Sequence, residues 1–95
     1  MSKAIEDVVN ERQRQQLIEG WSTEHDDEHS KGELSEAAGC YALHAFDFEN
    51  GQMLTEPPAW WPWDPEYWKP KDARSNLVRA AALIIAEIER IDRHG

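Results

Sequence analysis

Apolar residues recur at helical spacing in the last third of the chain, separated by steps of four and three. These positions are Leu77, Ala81, Ile84, Ile88 and Ile91, with Val78 and Ile85 widening the stripe. The pattern predicts an amphipathic helix over residues 72–93, with this stripe as its buried face and Ile84 in the core. Asp72 or Ser75 is expected to cap its start.

Two further helices are predicted in the first half, over residues 2–19 and 31–48. Ser2 is a cap candidate for the first helix, and Ser30 with Glu33 has the spacing of a capping box for the second. The second helix has an apolar stripe and several small residues, which predict close packing against the helix over 72–93. The stripe consists of Leu34, Ala37, Ala38, Tyr41, Ala45 and Phe48.

Residues 50–70 are rich in proline and tryptophan and cannot form the interior of a helix. Asp64-Pro65 favours a single helical turn, and four of the five tryptophans lie between Trp60 and Trp68. Their rings either complete the core or form an aromatic wall for a flat ligand. The predicted fold is therefore all-α: one domain over residues 1–95, with a three-helix core and a Pro/Trp-rich loop capping one end.

The formal net charge of −9 argues against nucleic acid or an anionic membrane as the main partner. The chain has no long apolar run and no apolar signal core near its start, which predicts a soluble, cytoplasmic protein. Cys40 is the single cysteine and is expected to be a small residue on the core side of its helix. The sequence is also compatible with a homo-oligomer.

Two polar groups are candidate sites. Arg12 and Gln16 stand where the apolar face of the first helix would continue, so they either are solvated or line a polar cleft shared with Trp21. The run that includes Glu24 and Asp27 is dense in carboxylates and histidines, which suits a divalent cation. The same acidic run also complements a helix dipole while solvated.

Several motifs resemble a family of small accessory proteins of tailed bacteriophages and prophages. They are E-R-x-R-Q from Glu11, E-G-W-x-x-E-H-D-D from Glu19, W-P-W from Trp61, W-K-P from Trp68, and R-x-x-L-V-x-A-x-A-L-I-x-A-E-I-E-R from Arg74. The resemblance covers nearly the whole chain. It implies a role in an infected host cell and assigns no reaction.

Two characterised groups are more faintly similar. In MazG-type all-α pyrophosphatases two acidic helix motifs hold Mg²⁺, and Glu33 with Glu36 matches the first of them. Glu89 and Asp92 match the second motif in letters only, because they lie at the end of the chain. Asn76 and Arg79 have the corresponding spacing near the start of the predicted helix over residues 72–93, but Arg79 would repel a metal. Gly20-Trp21 and the segment from Lys69 to Arg74 resemble RyR-type nucleotide-binding domains.

These observations predict binding of a nucleotide or a nucleotide-derived signal, with interference in host defence as its role. The expected ligand-binding residues are Arg12, Gln16, Trp21, Trp61, Trp63, Trp68 and Arg74. No cofactor is expected, and the residues favour binding over catalysis. One alternative is a Mg²⁺-dependent pyrophosphatase, for which the metal candidates are Glu24, Asp27, Glu33 and Glu36. Another is an acidic inhibitor of a host nucleic-acid-binding protein.

Overall fold

The computed structural model describes residues 2–19, 23–47, 49–51 and 56–94, with the side chains of 23–25 excepted. These residues form four α-helices and one 3₁₀ turn, and none of them lies in a strand. The elements are α1 (Lys3–Leu17), α2 (Thr23–Glu28), α3 (Glu33–Leu43), the 3₁₀ turn Pro65–Tyr67 and α4 (Ala73–His94). The all-α prediction is confirmed. In the described part of the chain, no helix has both the length and the apolarity needed to cross a membrane.

Two of the predicted helix starts are confirmed by their hydrogen bonds. Ser2 Oγ accepts a hydrogen bond from the backbone N–H of Ile5 at 3.2 Å, and Asp72 accepts one from the N–H of Ser75 at 3.1 Å. Such bonds satisfy N–H groups that have no partner within the helix.

The predicted capping box of α3 is wrong. The cap residue of α3 is Gly32 rather than Ser30, and its φ of 89° is a left-handed conformation that glycine adopts without steric cost. The Glu33 carboxylate instead accepts a hydrogen bond from the backbone N–H of Lys31 at 2.7 Å. The conformational freedom of glycine therefore decides where this helix begins.

The core forms where α3 packs against α4. The stripe predicted for α3 is confirmed by the burial of Leu34, Ala37, Ala38, Tyr41 and Ala45, while Phe48 lies outside the described residues. Cys40 is also fully buried, as expected, and α3 ends at Leu43, earlier than the predicted residue 48. The small residues allow the two helices to approach closely, which confirms them as a central pair.

The predicted buried face of α4 is wrong. The helix turns Ala80, Leu83 and Ala86 into the core, whereas Ile84 is 47% exposed. Leu77, Ile88 and Ile91 of the predicted stripe are likewise between 44% and 52% exposed, whereas Val78 and Ile85, which widen it, are half-buried. Alanines at helical spacing pack as well as larger residues when the facing helix is also small-sided, and a pattern read from large residues misses them.

The tryptophan loop completes the core beside α3. The Tyr41 ring lies 4.7 Å from the ring of Trp68 and 5.6 Å from that of Trp61, measured between centroids, and both indoles are less than 10% exposed. The Tyr41 hydroxyl accepts a hydrogen bond from the backbone N–H of Lys69 at 3.1 Å. Trp60 rests on α3 at Gly39, where a Cβ atom would approach its ring to 3.2 Å. These rings confirm a core-capping loop.

Candidate functional site

A polar pocket of about 240 Å³ lies between α1 and the beginning of α4. Its α1 wall uses positions spaced by four and three, which share one face of a helix. Its other wall comes from the segment before α4 and the first two turns of that helix. The lining residues are Asp7, Glu11, Arg14, Lys71, Arg74, Ser75, Val78 and Arg79.

Ion pairs across this pocket tie its two walls together. Arg74 Nη1 lies 2.8 Å from an oxygen of Asp7, and Arg79 Nε lies 3.7 Å from Glu11. Arg14 donates to both oxygens of Glu11, at 2.7 and 2.8 Å, in the two-pronged geometry that suits a guanidinium and a carboxylate. The three arginine side chains are thus held in place before any ligand arrives.

The neighbouring charges keep the acidic groups of the pocket ionised. Burial opposes ionisation of Glu11, but the hydrogen bonds and charge of Arg14 outweigh it, and the pKa of Glu11 lies below its ordinary value. The hydrogen bond from Arg74 likewise lowers the pKa of Asp7. The hydrogen bond with Glu11 raises the pKa of Arg14, so its charge is permanent.

The pocket is a basic site on an acidic protein. It gathers four of the ten lysine and arginine residues of the chain against two carboxylates, although the whole chain carries a formal charge of −9. Lys71 is exposed and makes no ion pair among the residues that the structure describes. The pocket lining therefore has an excess of positive charge and includes the exposed ammonium group of Lys71.

Arg12 and Gln16 were expected to line a cleft with Trp21. Arg12 is only 6% exposed, and its guanidinium contacts Asp26 at 2.7 Å and Glu89 at 3.1 Å. Gln16 is half-buried one turn further along α1, and Trp21 lies outside the described residues. Arg74, in contrast, lies in the basic pocket.

The structure brings Trp61, Trp63 and Trp68 together, at a place separate from the basic pocket. Trp61 is the centre of this group, with ring centroids 5.5 Å from Trp63 and 5.0 Å from Trp68. A separate groove of about 410 Å³ is lined by Trp61 and Trp63 together with prolines of the loop. No tryptophan in the described part of the chain lines the basic pocket.

The candidate metal ligands lie on different elements. Asp27, on α2, contacts Arg93 at 2.6 Å and His94 at 3.1 Å, while Glu33 and Glu36 lie in the first turn of α3. The side chain of Glu24 is outside the description. Within the described residues, no three Asp, Glu, His or Cys side chains come close enough to hold a metal ion.

Pyrophosphatase-type ligation would also use Glu89 and Asp92 of α4. Glu89 is bound by Arg12, and Asp92 lies exposed near the helix end. Both carboxylates lie near the end of α4, whereas the basic pocket lies at its beginning.

Sequence reasoning predicts Arg14 as a partner for a phosphate but misses three charged residues of this pocket: Asp7, Lys71 and Arg79. A signal for Asp7 existed, because Asp7, Glu11 and Arg14 are spaced by four and three and form a charged face on α1. Lys71 had no such signal, since only the fold brings the segment before α4 next to α1.

Comparison of the chain with protein-family models, curated proteins and solved structures gives no match.

Proposed function

We propose that this protein binds a small phosphate-bearing molecule, of the class of nucleotides or nucleotide-derived signals, in the basic pocket. One observation carries the proposal: an acidic chain concentrates four cationic side chains around one concave polar site. The lining has four cationic groups against two carboxylates, and this excess of positive charge raises the local concentration of anions.

The geometry of the cations suits a phosphoryl group. Arg74 presents an exposed planar guanidinium group, which suits paired hydrogen bonds to phosphate oxygens, and Lys71 adds an exposed ammonium. Asp7 and Glu11 hold the arginines in position and neutralise part of their charge. An anion entering the pocket would replace water around cations that are already ordered.

The size of the pocket supports a nucleotide bound by its phosphate end. Its volume of about 240 Å³ is below the ~300–1,000 Å³ usual for sites that enclose an entire small ligand. We therefore expect the phosphate to be enclosed, with the base left at the surface. The motifs shared with phage accessory proteins extend the proposal to a role, which is withdrawal of a nucleotide signal from host defence.

Calorimetric titration with inorganic phosphate, AMP, ATP and a cyclic dinucleotide tests the proposal. We expect at least one nucleotide to bind, with affinity that falls as salt concentration rises. Lys71→Ala should weaken binding by about tenfold or more, because a hydrogen bond to a charged group is lost.

Lys31→Ala is the matched control, since Lys31 is another exposed lysine outside the helices and away from the pocket. It should leave the affinity unchanged. Absence of binding by every probe at millimolar concentration would contradict the proposal. Release of pyrophosphate from a nucleoside triphosphate only when Mg²⁺ is added would instead support the pyrophosphatase alternative.

A further inference from the structure

The face of α4 that points away from α3 carries an exposed apolar stripe. The stripe consists of Leu77, Ala81, Ile84, Ile88 and Ile91, and its four large members are roughly half exposed. The core-facing side of α4 is built from other residues, among them Ala80, Leu83 and Ala86. The helix thus has two apolar faces, of which the fold of one chain buries only one.

The apolar surface continues from α4 onto α1. Ile85 follows the stripe on the side of α1, and with Ala4, Val8 and two exposed residues, Ile5 and Val9, it lines a groove of about 230 Å³. Exposed apolar surfaces of this kind mark interaction sites in soluble proteins.

The spacing of the stripe identifies the kind of partner. Steps of four, three, four and three residues are those of a coiled-coil seam, in which one helix packs along another. The 22 residues of α4 make a helix roughly 33 Å long, and the stripe from Leu77 to Ile91 extends along most of that length. The surface therefore fits a second helix with the same spacing.

We propose that the partner is a second copy of this chain, with the two α4 helices packed antiparallel about a two-fold axis. A two-fold interface must be complementary to itself. In the antiparallel register, Leu77 faces Ile88 of the second copy, and Ala81 faces Ile84, so that a small residue meets a large one in the central layers. The opposed helix dipoles also favour this direction.

Charge at the ends of the stripe supports the same direction. Arg74 precedes Leu77 by one helical turn, and Asp92 follows Ile91. Antiparallel pairing places Arg74 of one chain near Asp92 of the other. Parallel pairing would instead place each of these residues beside the same residue of the second chain, so that like charges would meet. Both side chains lie on the exposed surface.

The exposed apolar area is close to that of a small dimer interface. Six half-exposed branched residues on α4 and α1 provide an apolar area on the order of several hundred Å² on each copy. With the polar rim around them, this approaches the ~800 Å² per partner of a standard protein interface.

Sedimentation velocity over a wide range of protein concentration tests the pairing. We expect the unchanged protein to reach twice the 11.0 kDa mass of one chain, and Ile84→Glu and Ile88→Glu to remain at 11.0 kDa with unchanged helical circular dichroism. Burying a carboxylate in the seam should raise the dissociation constant by about a hundredfold or more.

Leu43→Glu provides the matched control, because Leu43 is an exposed apolar residue at the end of α3 and outside the stripe. This variant should dimerise normally. Single chains of the unchanged protein at every concentration would overturn the proposal and leave the stripe to a different protein, as would loss of helicity in Ile84→Glu or dimers of both stripe variants.

Discussion

Arg12 lies almost fully buried, with carboxylates from two other helices around its guanidinium. Asp26 of α2 and Glu89 of α4 both accept its hydrogen bonds, so one side chain of α1 connects three helices. A buried charge is tolerated when it is paired and hydrogen-bonded. We therefore infer that Arg12 has a structural role and holds α1, α2 and α4 together.

Arg12→Ala should lower the free energy of unfolding by about 3–5 kcal/mol, because removal of one member of a buried ion pair leaves the other charge in the interior. Urea denaturation measures this change. Arg74→Ala is the control, since its pair with Asp7 is exposed and should be worth less than ~1 kcal/mol. Equal effects of the two substitutions would contradict the structural role of Arg12.

At the scale of elements, α4 is central to the molecule. It contacts α1, α2 and α3, and its neighbouring residues Leu83 and Ile84 lie on different sides. Leu83 is fully buried, whereas Ile84 is 47% exposed. This pair of adjacent residues separates the core face from the proposed dimer face.

Leu83→Ala should destabilise the protein by about 2–5 kcal/mol, as expected for truncation of a large core residue. Ile84→Ala should cost less than ~1 kcal/mol when measured at a dilution at which the chain is monomeric. Chemical denaturation of both variants at low concentration distinguishes the two faces. A large loss for Ile84→Ala in the monomer would place the stripe in the core after all.

At the scale of the whole molecule, ion pairs fasten α1 to the rest of the chain. Arg14 donates to Glu11 within α1 and to Glu19 just beyond it, and Glu19 also lies 3.5 Å from Lys69. Hydrogen bonding by Arg14 lowers the pKa of Glu19, and the pKa of Glu11 is lowered as well. Part of the stability of the fold therefore depends on ionised carboxylates.

Glu11 should contribute stability that is present above its ordinary pKa of 4.5 and disappears as the pH falls through the lower pKa of the folded state. The difference in unfolding free energy between the unchanged protein and Glu11→Gln should accordingly be largest near neutral pH and vanish in acid. Denaturation at a series of pH values measures it. Glu6→Gln, on the exposed side of α1, should show a much smaller difference; a constant difference for Glu11→Gln would contradict the prediction.

Local features of the fold could be predicted from the sequence. Ser2 and Asp72 cap their helices through hydrogen bonds to residues three positions away, and the stripe of α3 shows the spacing of a buried face. Prolines exclude helix from the loop, and the tryptophans have too much apolar surface to stay in water. Interactions of short range are encoded in neighbouring residues and can be recognised there.

The tertiary structure decided which face of α4 is buried and which charges meet. Both the alanine face and the isoleucine face have helical spacing, and the close approach of α3 selects the alanines. The basic pocket joins Asp7 to Arg74, and Arg12 meets Glu89, over 67 and 77 residues of chain. No local pattern specifies such pairings, because they depend on how the helices pack. The sequence by itself therefore determined the helices and their caps, while packing determined the core face, the basic pocket and the apolar stripe left exposed.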